Sequence, residues 1–277
     1  FHVTVAHAPS GIFGLPKTIS ELSLALSVYA TDLDADDDVD VLGTGYNTDG
    51  LFWWENDGSQ VFTEHNLEGD AEQINFAYAA DLDGDGDMDI LGAGNNITWF
   101  ENDGSQSYTE HIIEGDFNGA ISVYATDVDG DGDMDILGAG NNITWFENDG
   151  SQSFTEHTIA TWFDCQYSNT CGGGRDVYAT DVDGDGDIDV LGATYNTQVP
   201  YNIYKIIWWE NNGSENFTEH TIDDDFAGAS SVYATDVDGD GTVDILGAAR
   251  GSDEITWWQN DGDENFTEHT VDDDFDG

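Results

Sequence analysis

Basic residues are almost missing from this sequence. Only 4 Lys plus Arg stand against 59 Asp plus Glu in 277 residues, and the formal net charge is -55. Binding of nucleic acid requires clustered Lys and Arg that displace counterions from phosphates, so this composition excludes a nucleic-acid partner. Long apolar runs are missing too, since no stretch approaches the ~18 residues that a membrane-spanning helix needs. Anionic lipid headgroups also repel an acidic surface, so we expect no direct membrane insertion.

Cysteine is nearly absent as well. Cys165 and Cys171 are the only two, and they lie in a glycine-rich segment. Such a close pair can form a small disulfide loop in an oxidising compartment, and we predict this disulfide, with two free thiols as the alternative. The chain begins at Phe1 rather than Met and shows no basic segment followed by an apolar stretch, so we expect a processed or trimmed product.

High charge of one sign is typical of disordered chains. However, 14 Phe, 11 Tyr and 9 Trp make 12% of this chain aromatic. A solvated polyelectrolyte carries far fewer aromatic residues. The chain is therefore expected to fold, and the many carboxylates indicate that it folds around cations.

One sequence unit recurs five times along the chain. The clearest copy, residues 122–159, is SVYATDVDGDGDMDILGAGNNITWFENDGSQSFTEHTI. The copies follow each other at a period of about 50 residues, and we expect the longer intervals to contain loop insertions. Within this copy four short β-rich runs alternate with turn sequences, which predicts four antiparallel strands per repeat. These predicted strands are residues 123–126, 135–139, 143–147 and 154–159.

Large apolar residues at adjacent positions of the third strand decide the predicted architecture. Examples are Trp145 with Phe146, and Trp208 with Trp209. Because adjacent strand residues point to opposite faces, both faces of each sheet must be covered, and only neighbouring sheets are available for this. We therefore predict an all-β protein, a β-propeller of about five four-stranded blades. A two-sheet sandwich is the alternative, but a sandwich buries only one face of each sheet.

The predicted organisation is one propeller domain with a lead-in. Residues 1–26 are expected to form an N-terminal strand and an irregular lead-in, and residues 27–277 the propeller. Residues 1–6, FHVTVA, resemble the fourth-strand sequence FTEHTI and give one strand more than five repeats need. This strand either closes the domain or pairs with an edge of another subunit. The predicted repeats are about 27–75, 76–121, 122–175, 176–230 and 231–277.

An acidic loop with the pattern DxDxDGxxD follows the first strand of each repeat. Alternate carboxylates on such a loop converge on one cation, the glycine permits the turn, and the next residue offers a backbone carbonyl. The first copy has Asp37 in place of this glycine, so the pattern predicts the geometry of this loop least well. The five predicted sets of metal-binding residues are Asp32, Asp34, Asp36, Asp38 and Asp40; Asp81, Asp83, Asp85, Asp87 and Asp89; Asp127, Asp129, Asp131, Asp133 and Asp135; Asp181, Asp183, Asp185, Asp187 and Asp189; and Asp236, Asp238, Asp240, Thr242 and Asp244.

The oxygen ligands of these loops favour Ca²⁺, with about five ions per chain. Mg²⁺ prefers to keep its waters, and an EF-hand would have Glu at loop position twelve, where the four regular copies have glycine. An uncoordinated, solvated acidic turn is the alternative. Four carboxylates within nine residues would then repel one another without compensation. Five Ca²⁺ ions would change the formal net charge from -55 only to about -45.

The segments DVDGDGDMDIL, ITWFENDG and FTEHTI resemble the FG-GAP or VCBS-type repeats of bacterial and archaeal extracellular proteins. These repeats are related to the calcium-binding blades of integrin α-chain propellers, and the resemblance covers residues 27–271. It implies an exported β-propeller with calcium in a hairpin loop of each blade. It also implies a role in adhesion, ligand binding or cell-surface structure. Relatives often have seven repeats, whereas this chain has five.

The recurrent polar residues argue against catalysis. A catalytic base is normally needed once, so five equivalent histidines indicate architecture, and the sequence has no GxSxG or HExxH motif. The equivalent histidines are His65, His111, His157, His220 and His269.

Our leading hypothesis is a non-catalytic, calcium-binding propeller at the cell surface or secreted from the cell, acting as a structural or adhesive module or as a self-assembling fibre subunit. Expected partners are further copies of the chain, another extracellular protein or a glycan. The scarce basic residues lie where the repeat pattern breaks, and they could contact carboxylates of a neighbouring copy. A carbohydrate-binding, lectin-like propeller is the alternative, and a polysaccharide-active enzyme ranks last.

Overall fold

The computed structural model describes residues 18–22, 24–45, 50–67, 73–115, 117, 119–161, 172–196 and 203–272. The predicted additional strand at residues 1–6 lies outside these ranges. The predicted disulfide between Cys165 and Cys171 lies outside them as well. Both therefore stay predictions.

The strands form five four-stranded antiparallel sheets, which we call blades 1 to 5 in chain order. Blade 1 contains β1 (Ala25–Thr31), β2 (Asp40–Gly45), β3 (Leu51–Asn56) and β4 (Phe62–Leu67). Blade 2 contains β5 (Phe76–Ala80), β6 (Asp89–Ala93), β7 (Ile97–Asn102) and β8 (Tyr108–Glu114). Blade 3 contains β9 (Ser122–Thr126), β10 (Asp135–Ala139), β11 (Asn142–Asn148) and β12 (Phe154–Thr161). Blade 4 contains β13 (Gly172–Thr180), β14 (Asp189–Asn196), β15 (Ile203–Asn211) and β16 (Phe217–Asp223). Blade 5 contains β17 (Ala229–Thr235), β18 (Asp244–Ala249), β19 (Glu254–Asn260) and β20 (Phe266–Asp272).

Consecutive strands are hydrogen-bonded neighbours in every blade, so each blade is a simple meander. This confirms the predicted fold class, an all-β propeller of five four-stranded blades, and the described residues contain no helix. Consequently, none of the described segments is a helix of the length and hydropathy needed to cross a membrane. In blade 3, the strand predicted at residues 135–139 has the observed bounds, and the other three strands extend beyond the predicted ones by one or two residues.

The turn between the third and fourth strands is encoded locally by Asn-Asp-Gly-Ser. In blade 3, Asp149 Oδ1 accepts a hydrogen bond from the Ser151 amide at 2.9 Å, and the Asp149 amide donates to the Ser153 carbonyl at 3.2 Å. Gly150 has a φ of 71°, a left-handed conformation that glycine adopts without a steric penalty. The turn sequence therefore fixes the register of this hairpin.

Two compact units divide the chain. Phe1–Ala120 holds blades 1 and 2, and Ile121–Gly277 holds blades 3, 4 and 5. Within each unit, successive blades pack face to face around buried apolar residues. In the first unit, Leu42 and Trp53 of blade 1 belong to one core cluster with Ala77 and Ile90 of blade 2. The predicted single domain over residues 27–277 stays a prediction.

Adjacent tryptophans serve two different blade interfaces in the second unit. Trp208 lies in the core cluster with Val232 of blade 5, whereas Trp209 lies in the cluster with Leu137 and Trp145 of blade 3. This is the arrangement expected when neighbouring strand residues point to opposite faces. Each buried indole removes about 150–250 Å² from water, worth about 4–6 kcal/mol before entropy is counted. Stacking of blades is thus the main source of apolar burial.

Equivalent tryptophans with different surroundings provide a test of this view. Trp145 is 1% exposed, stacks on His157 and contacts Phe217 of blade 4 edge to face, whereas Trp257 of blade 5 stacks on His269 but is partly exposed. We predict that Trp145→Ala lowers the unfolding free energy by about 3–5 kcal/mol, because it leaves a cavity between blades. Trp257→Ala should cost less than half as much. Urea denaturation in excess calcium measures both values, and equal losses would contradict the prediction.

Candidate metal centres

Each acidic loop joins the first two strands of a blade and spans nine residues, which we number as loop positions 1 to 9. In blade 3, Asp127 occupies position 1 and Asp135 position 9. Asp127 organises the loop by accepting three backbone hydrogen bonds. Its Oδ1 accepts from the amides of Gly130 at 2.8 Å and Asp131 at 3.1 Å, and its Oδ2 accepts from the Gly132 amide at 3.0 Å. The backbone of the loop therefore wraps around the position-1 carboxylate.

The carboxylates at positions 3 and 5 accept two further hydrogen bonds from amides of the loop. Asp129 Oδ1 accepts from the Asp131 amide at 3.1 Å, and Asp131 Oδ1 accepts from the Asp133 amide at 2.9 Å. These are local side-chain-to-backbone bonds of the kind that aspartate favours in turns. Each of these two bonds involves one oxygen, so the loop's own geometry leaves the second oxygen of both carboxylates available for a ligand.

Position 9 is a buried carboxylate that connects the loop to the third strand. Asp135 is fully buried, its Oδ2 accepts from the Val128 amide at 2.9 Å, and its Oδ1 accepts from the Asn148 amide at 2.7 Å. The same pair of bonds recurs in all five blades. The equivalent residues and their amide partners are Asp40 with Leu33 and Asn56, Asp89 with Leu82 and Asn102, Asp189 with Val182 and Asn211, and Asp244 with Val237 and Asn260.

The asparagine that ends the third strand also links neighbouring loops, a feature that the sequence pattern does not reveal. In blade 4, Asn211 Nδ2 donates to the carbonyl of Ile188 in its own loop and, at the same distance of 3.2 Å, to the carbonyl of Val128 in the loop of blade 3. In blade 5, Asn260 Nδ2 bonds Val182 of blade 4 in the same way, at 3.3 Å. In the second unit, hydrogen bonds therefore connect each acidic loop to the loop of the neighbouring blade.

Carboxylate oxygens converge in every blade. Within each cluster, one oxygen from each of three aspartates lies within 4.8 Å of the others. The residues at positions 1 and 3 take part in all five clusters, joined by position 5 in blades 1 and 2 and by position 9 in blades 3, 4 and 5. The clusters are Asp32, Asp34 and Asp36; Asp81, Asp83 and Asp85; Asp127, Asp129 and Asp135; Asp181, Asp183 and Asp189; and Asp236, Asp238 and Asp244.

A family model described as FG-GAP-like repeat matches residues 32–92, 90–138 and 181–247, together more than half of the chain. The protein belongs to the FG-GAP-like repeat family. No curated protein matches the chain. Two of the matched segments begin at the first aspartate of a loop, at Asp32 and Asp181, so the acidic loop is part of what defines an FG-GAP repeat here.

The donor set of these FG-GAP loops fits a hard divalent cation. All converging ligand atoms are carboxylate oxygens, the type that Ca²⁺ binds in protein loops. In blade 1, Asp34 Oδ1 is buried and accepts no hydrogen bond, and burial together with the charges of Asp40, Asp36, Glu55 and Asp32 raises the pKa of Asp34 to about 6. This oxygen is buried, has no hydrogen-bond donor and is surrounded by negative charge. A bound cation would stabilise its charged form.

The side chains at position 7 do not join the clusters. A Cβ atom added to Gly150, in the turn between the third and fourth strands, would collide with the Asp133 carboxylate, so this side chain lies over the turn instead. Asp38, Asp87 and Asp187 lie in the same way over Gly58, Gly104 and Gly213. The predicted contribution of position 7, a backbone carbonyl, stays a prediction, and so do the individual ligand assignments at the other positions.

A second polar feature lies beside each loop on the third and fourth strands. His157 stacks on Trp145 with ring centroids 4.5 Å apart, and its Nε2 is 2.6 Å from Glu147 Oε2. Burial is the main cause that raises the pKa of Asp129 at position 3, and Glu147 contributes to this rise. In blade 5, Gln259 replaces the glutamate and donates a hydrogen bond to Asp238 at position 3. The third strand therefore supplies a polar neighbour to the cluster.

Burial also acts on the position-9 carboxylates. Desolvation raises the pKa of Asp89 and of Asp135 to about 6 and that of Asp189 to about 7, although the two amide hydrogen bonds to each carboxylate oppose this shift. The charged forms are therefore unfavourable without a compensating ion. A bound cation would reverse this balance, because opposite charge favours the ionised carboxylate.

Blade 1 builds the same loop from less suitable residues. Ala35 and Asp37 replace the two loop glycines and have φ values of 61° and 72°, where the glycines of blade 3 have 77° and 102°. The Asp37 amide still donates to Asp32 Oδ2 at 3.0 Å. The first loop therefore has two non-glycine residues in the left-handed region, and it keeps the position-1 hydrogen bond to the residue at position 6.

This strain leads to a reciprocal mutational prediction. A non-glycine residue in the left-handed region costs about 1–2 kcal/mol, partly offset by the greater chain entropy of unfolded glycine. We predict that Ala35→Gly combined with Asp37→Gly raises the unfolding free energy by about 1 kcal/mol in excess calcium. Gly132→Asp in blade 3 should lower it by about 1–2 kcal/mol. Denaturation midpoints measure both changes, and a loss of stability in the glycine variant would contradict this account.

The raised pKa values predict the pH dependence of the metal-free protein. Between the ordinary aspartate pKa near 4 and the raised values of about 6 to 7, the folded state binds more protons than the unfolded state. Its unfolding free energy therefore falls as pH rises through this range. We expect the melting temperature of metal-stripped protein to decrease from pH 5 to pH 7.5.

Calcium should reverse this trend, since protons and the cation compete for the same oxygens. Asp189→Asn should reduce the slope of the metal-free profile, because Asp89 and Asp135 still titrate in this range. As a control, Asp149→Asn, which removes an exposed carboxylate in a turn, should leave the profile unchanged. A metal-free melting temperature that rises with pH across the same range would be inconsistent with buried, uncompensated carboxylates.

Proposed function

We propose that this protein is a non-catalytic, calcium-binding propeller that acts outside the cell as a structural or adhesive module. The observation that carries this proposal is the aspartate cluster that recurs in the same loop of all five blades. FG-GAP repeats are typical of extracellular proteins, which supports the assignment outside the cell. Extracellular calcium-binding modules commonly have millimolar affinity, matched to the calcium available there.

The side chains at positions 1, 3, 5 and 9, with the position-7 carbonyl, would hold one Ca²⁺ ion per loop. The ion would supply positive charge to carboxylates that otherwise repel one another and would fix the loop that joins the first two strands. Ca²⁺ suits this role better than Mg²⁺, because it accepts six to eight oxygen ligands in flexible geometry and gives up its waters more readily. The ions therefore act on structure rather than on a substrate.

Ion binding would stabilise more than the loop itself. In blade 4, the buried Asp189 joins the loop to Asn211 on the third strand, and Asn211 bonds the loop of blade 3. A cation that binds only the folded loop stabilises the native state by mass action. Because of these hydrogen bonds, we expect the stabilisation to extend to the strands of the blade and to the neighbouring blade.

The polar groups that resemble catalytic machinery are repeated. A His–Glu contact of 2.6–2.8 Å occurs in four blades, each time with the imidazole stacked on a tryptophan. A catalytic site needs such a pair once, and FG-GAP propellers are generally non-catalytic. For the lectin-like alternative, tryptophans that stack on sugars must be accessible, yet Trp53, Trp99 and Trp208 are each at most 2% exposed. The structural module is therefore the better supported proposal.

Calcium titration tests this proposal. We expect about five ions per chain by calorimetry, a sharp decrease of the melting temperature in excess chelator, and little recovery with magnesium. Asp129→Asn should remove or weaken one site, because it neutralises a position-3 ligand but keeps an oxygen for the Asp131 amide. Asp149→Asn is the matched control, since it removes the same charge from an exposed turn of the same blade and should leave all sites intact. An unchanged melting curve in chelator would refute calcium-dependent folding.

A further inference from the structure

The turn between the third and fourth strands keeps one non-glycine residue in a left-handed conformation in every blade. This residue is Gln or Glu each time, and its φ lies between 58° and 63°. Glycine would adopt this conformation without a steric penalty, so a side chain here costs stability. Strained positions of this kind often belong to functional sites, and all five side chains end in an oxygen. The residues are Gln60, Gln106, Gln152, Glu215 and Glu264.

In blade 2, this side chain extends to the acidic loop of blade 1. Gln106 Nε2 donates a hydrogen bond to Asp34 Oδ2 at 3.0 Å, although the two residues are 72 positions apart in the sequence. Asp34 occupies loop position 3 and belongs to the carboxylate cluster of blade 1. Its other oxygen, Oδ1, is buried and accepts no hydrogen bond from the described residues. An amide group of the neighbouring blade therefore lies directly at the candidate metal centre.

The first unit connects its two acidic loops differently from the second unit. In the second unit, the asparagine that ends the third strand bonds a carbonyl in the loop of the preceding blade. The equivalent Asn102 in blade 2 donates to Met88 of its own loop at 3.2 Å, and among the described residues it has no hydrogen bond to the loop of blade 1. In the first unit, Gln106 provides the side-chain link between the loops instead.

A cleft with a volume of about 250 Å³ lies beside this contact. Asp34 and Ala35 of the blade 1 loop line one side, and Asp87, Ser105 and Gln106 of blade 2 line the other. A water molecule occupies about 30 Å³ in the liquid, so the cleft has room for a cation with several waters. Because Ca²⁺ takes six to eight oxygen ligands, an ion here can bind oxygens of the neighbouring blade as well as those of the loop.

We propose that the side chain of Gln106 in blade 2 is a ligand of the calcium ion in the blade 1 loop, so that this ion joins two blades. The inference rests on the proposed function. An amide carries its donor and its acceptor on one carbon, and a half-turn about the last torsion exchanges the two. Without calcium the nitrogen bonds Asp34, and with calcium Oε1 would face the ion. The added oxygen would support the loop in which Ala35 and Asp37 replace glycines.

A competing role for this amide would have the opposite effect on calcium affinity. A donor that stays on Asp34 neutralises part of the charge that attracts the ion, so its removal would strengthen calcium binding. Removal of a ligand would weaken it. The sign of the change in affinity therefore distinguishes the two roles of Gln106.

Hydrogen exchange of the full-length chain, measured by mass spectrometry while metal-free protein is titrated with calcium, tests the proposal, because it reports each loop separately. In the wild type, calcium should slow exchange in residues 32–40 and in residues 81–89. Gln106→Met removes the amide but keeps the length of the side chain. The calcium midpoint for residues 32–40 should therefore rise about tenfold, the size of effect typical when a group that supports a metal site is lost. The midpoint for residues 81–89 should not change.

Two further variants complete the test. Gln106→Glu should lower the midpoint for residues 32–40 below the wild-type value, because a charged oxygen replaces a neutral one. Ser105→Ala is the control, since it removes a hydrogen bond to Asp103 within the same turn and should leave both midpoints unchanged. All three changes lie at exposed positions of one turn and keep a Cβ atom, so the fold should be retained.

The outcomes separate this inference from the proposed function. An unchanged or lower midpoint in Gln106→Met, or a higher one in Gln106→Glu, would overturn the assignment of Gln106 as a ligand. An equal shift in Ser105→Ala would overturn it too, because loosening of the turn would then be sufficient. In each of these cases calcium would still protect the loops. If calcium protected no loop of the wild-type protein, the proposed function itself would fail.

Discussion

The buried carboxylate at loop position 9 connects three parts of each blade. It accepts amide hydrogen bonds from the acidic loop and from the end of the third strand, and it opens the second strand as that strand's first residue. Removing such a charge from water is costly, and two amide donors compensate only part of this cost. The loop therefore carries a conflict between geometry, which places carboxylates together, and electrostatics, which separates them. A cation resolves this conflict, so the blade's local structure and its metal chemistry depend on each other.

Apolar and acidic residues occupy different parts of the structure and act differently on its stability. The blades pack through tryptophans and aliphatic residues that are almost completely buried, while the carboxylates are concentrated in the loops and on the outer surface. A surface with this charge keeps folded molecules apart and soluble. It also destabilises the compact state by self-repulsion, so the interior contacts must be extensive. The high aromatic content of the sequence therefore compensates for the self-repulsion that its acidity causes.

Much of the architecture could be predicted because it depends on local sequence patterns. The repeat period, the four β-rich runs and the adjacent aromatic residues such as Trp208 and Trp209 predict stacked four-stranded blades, and the alternating aspartates predict where the carboxylates gather. The links of Asn211 could not be predicted, because its amide bonds a loop that lies 83 residues earlier in the chain. The orientation of Asp133 over Gly150 could not be predicted either. A DxDxDGxxD pattern does not distinguish side chains that face the cluster from those that face a neighbouring turn.

Strict repetition also explains why the exceptions are informative. Within each unit, successive blades pack through equivalent residues, with Trp145 between blades 3 and 4 and Trp208 between blades 4 and 5. Departures from the repeat therefore show which residues the loop can replace. Blade 1 builds its loop with Ala35 and Asp37 in place of two glycines, and blade 5 has Gln259 in place of the strand glutamate. In both blades the buried position-9 carboxylate keeps its two amide hydrogen bonds, so this carboxylate, rather than the residues around it, defines the loop.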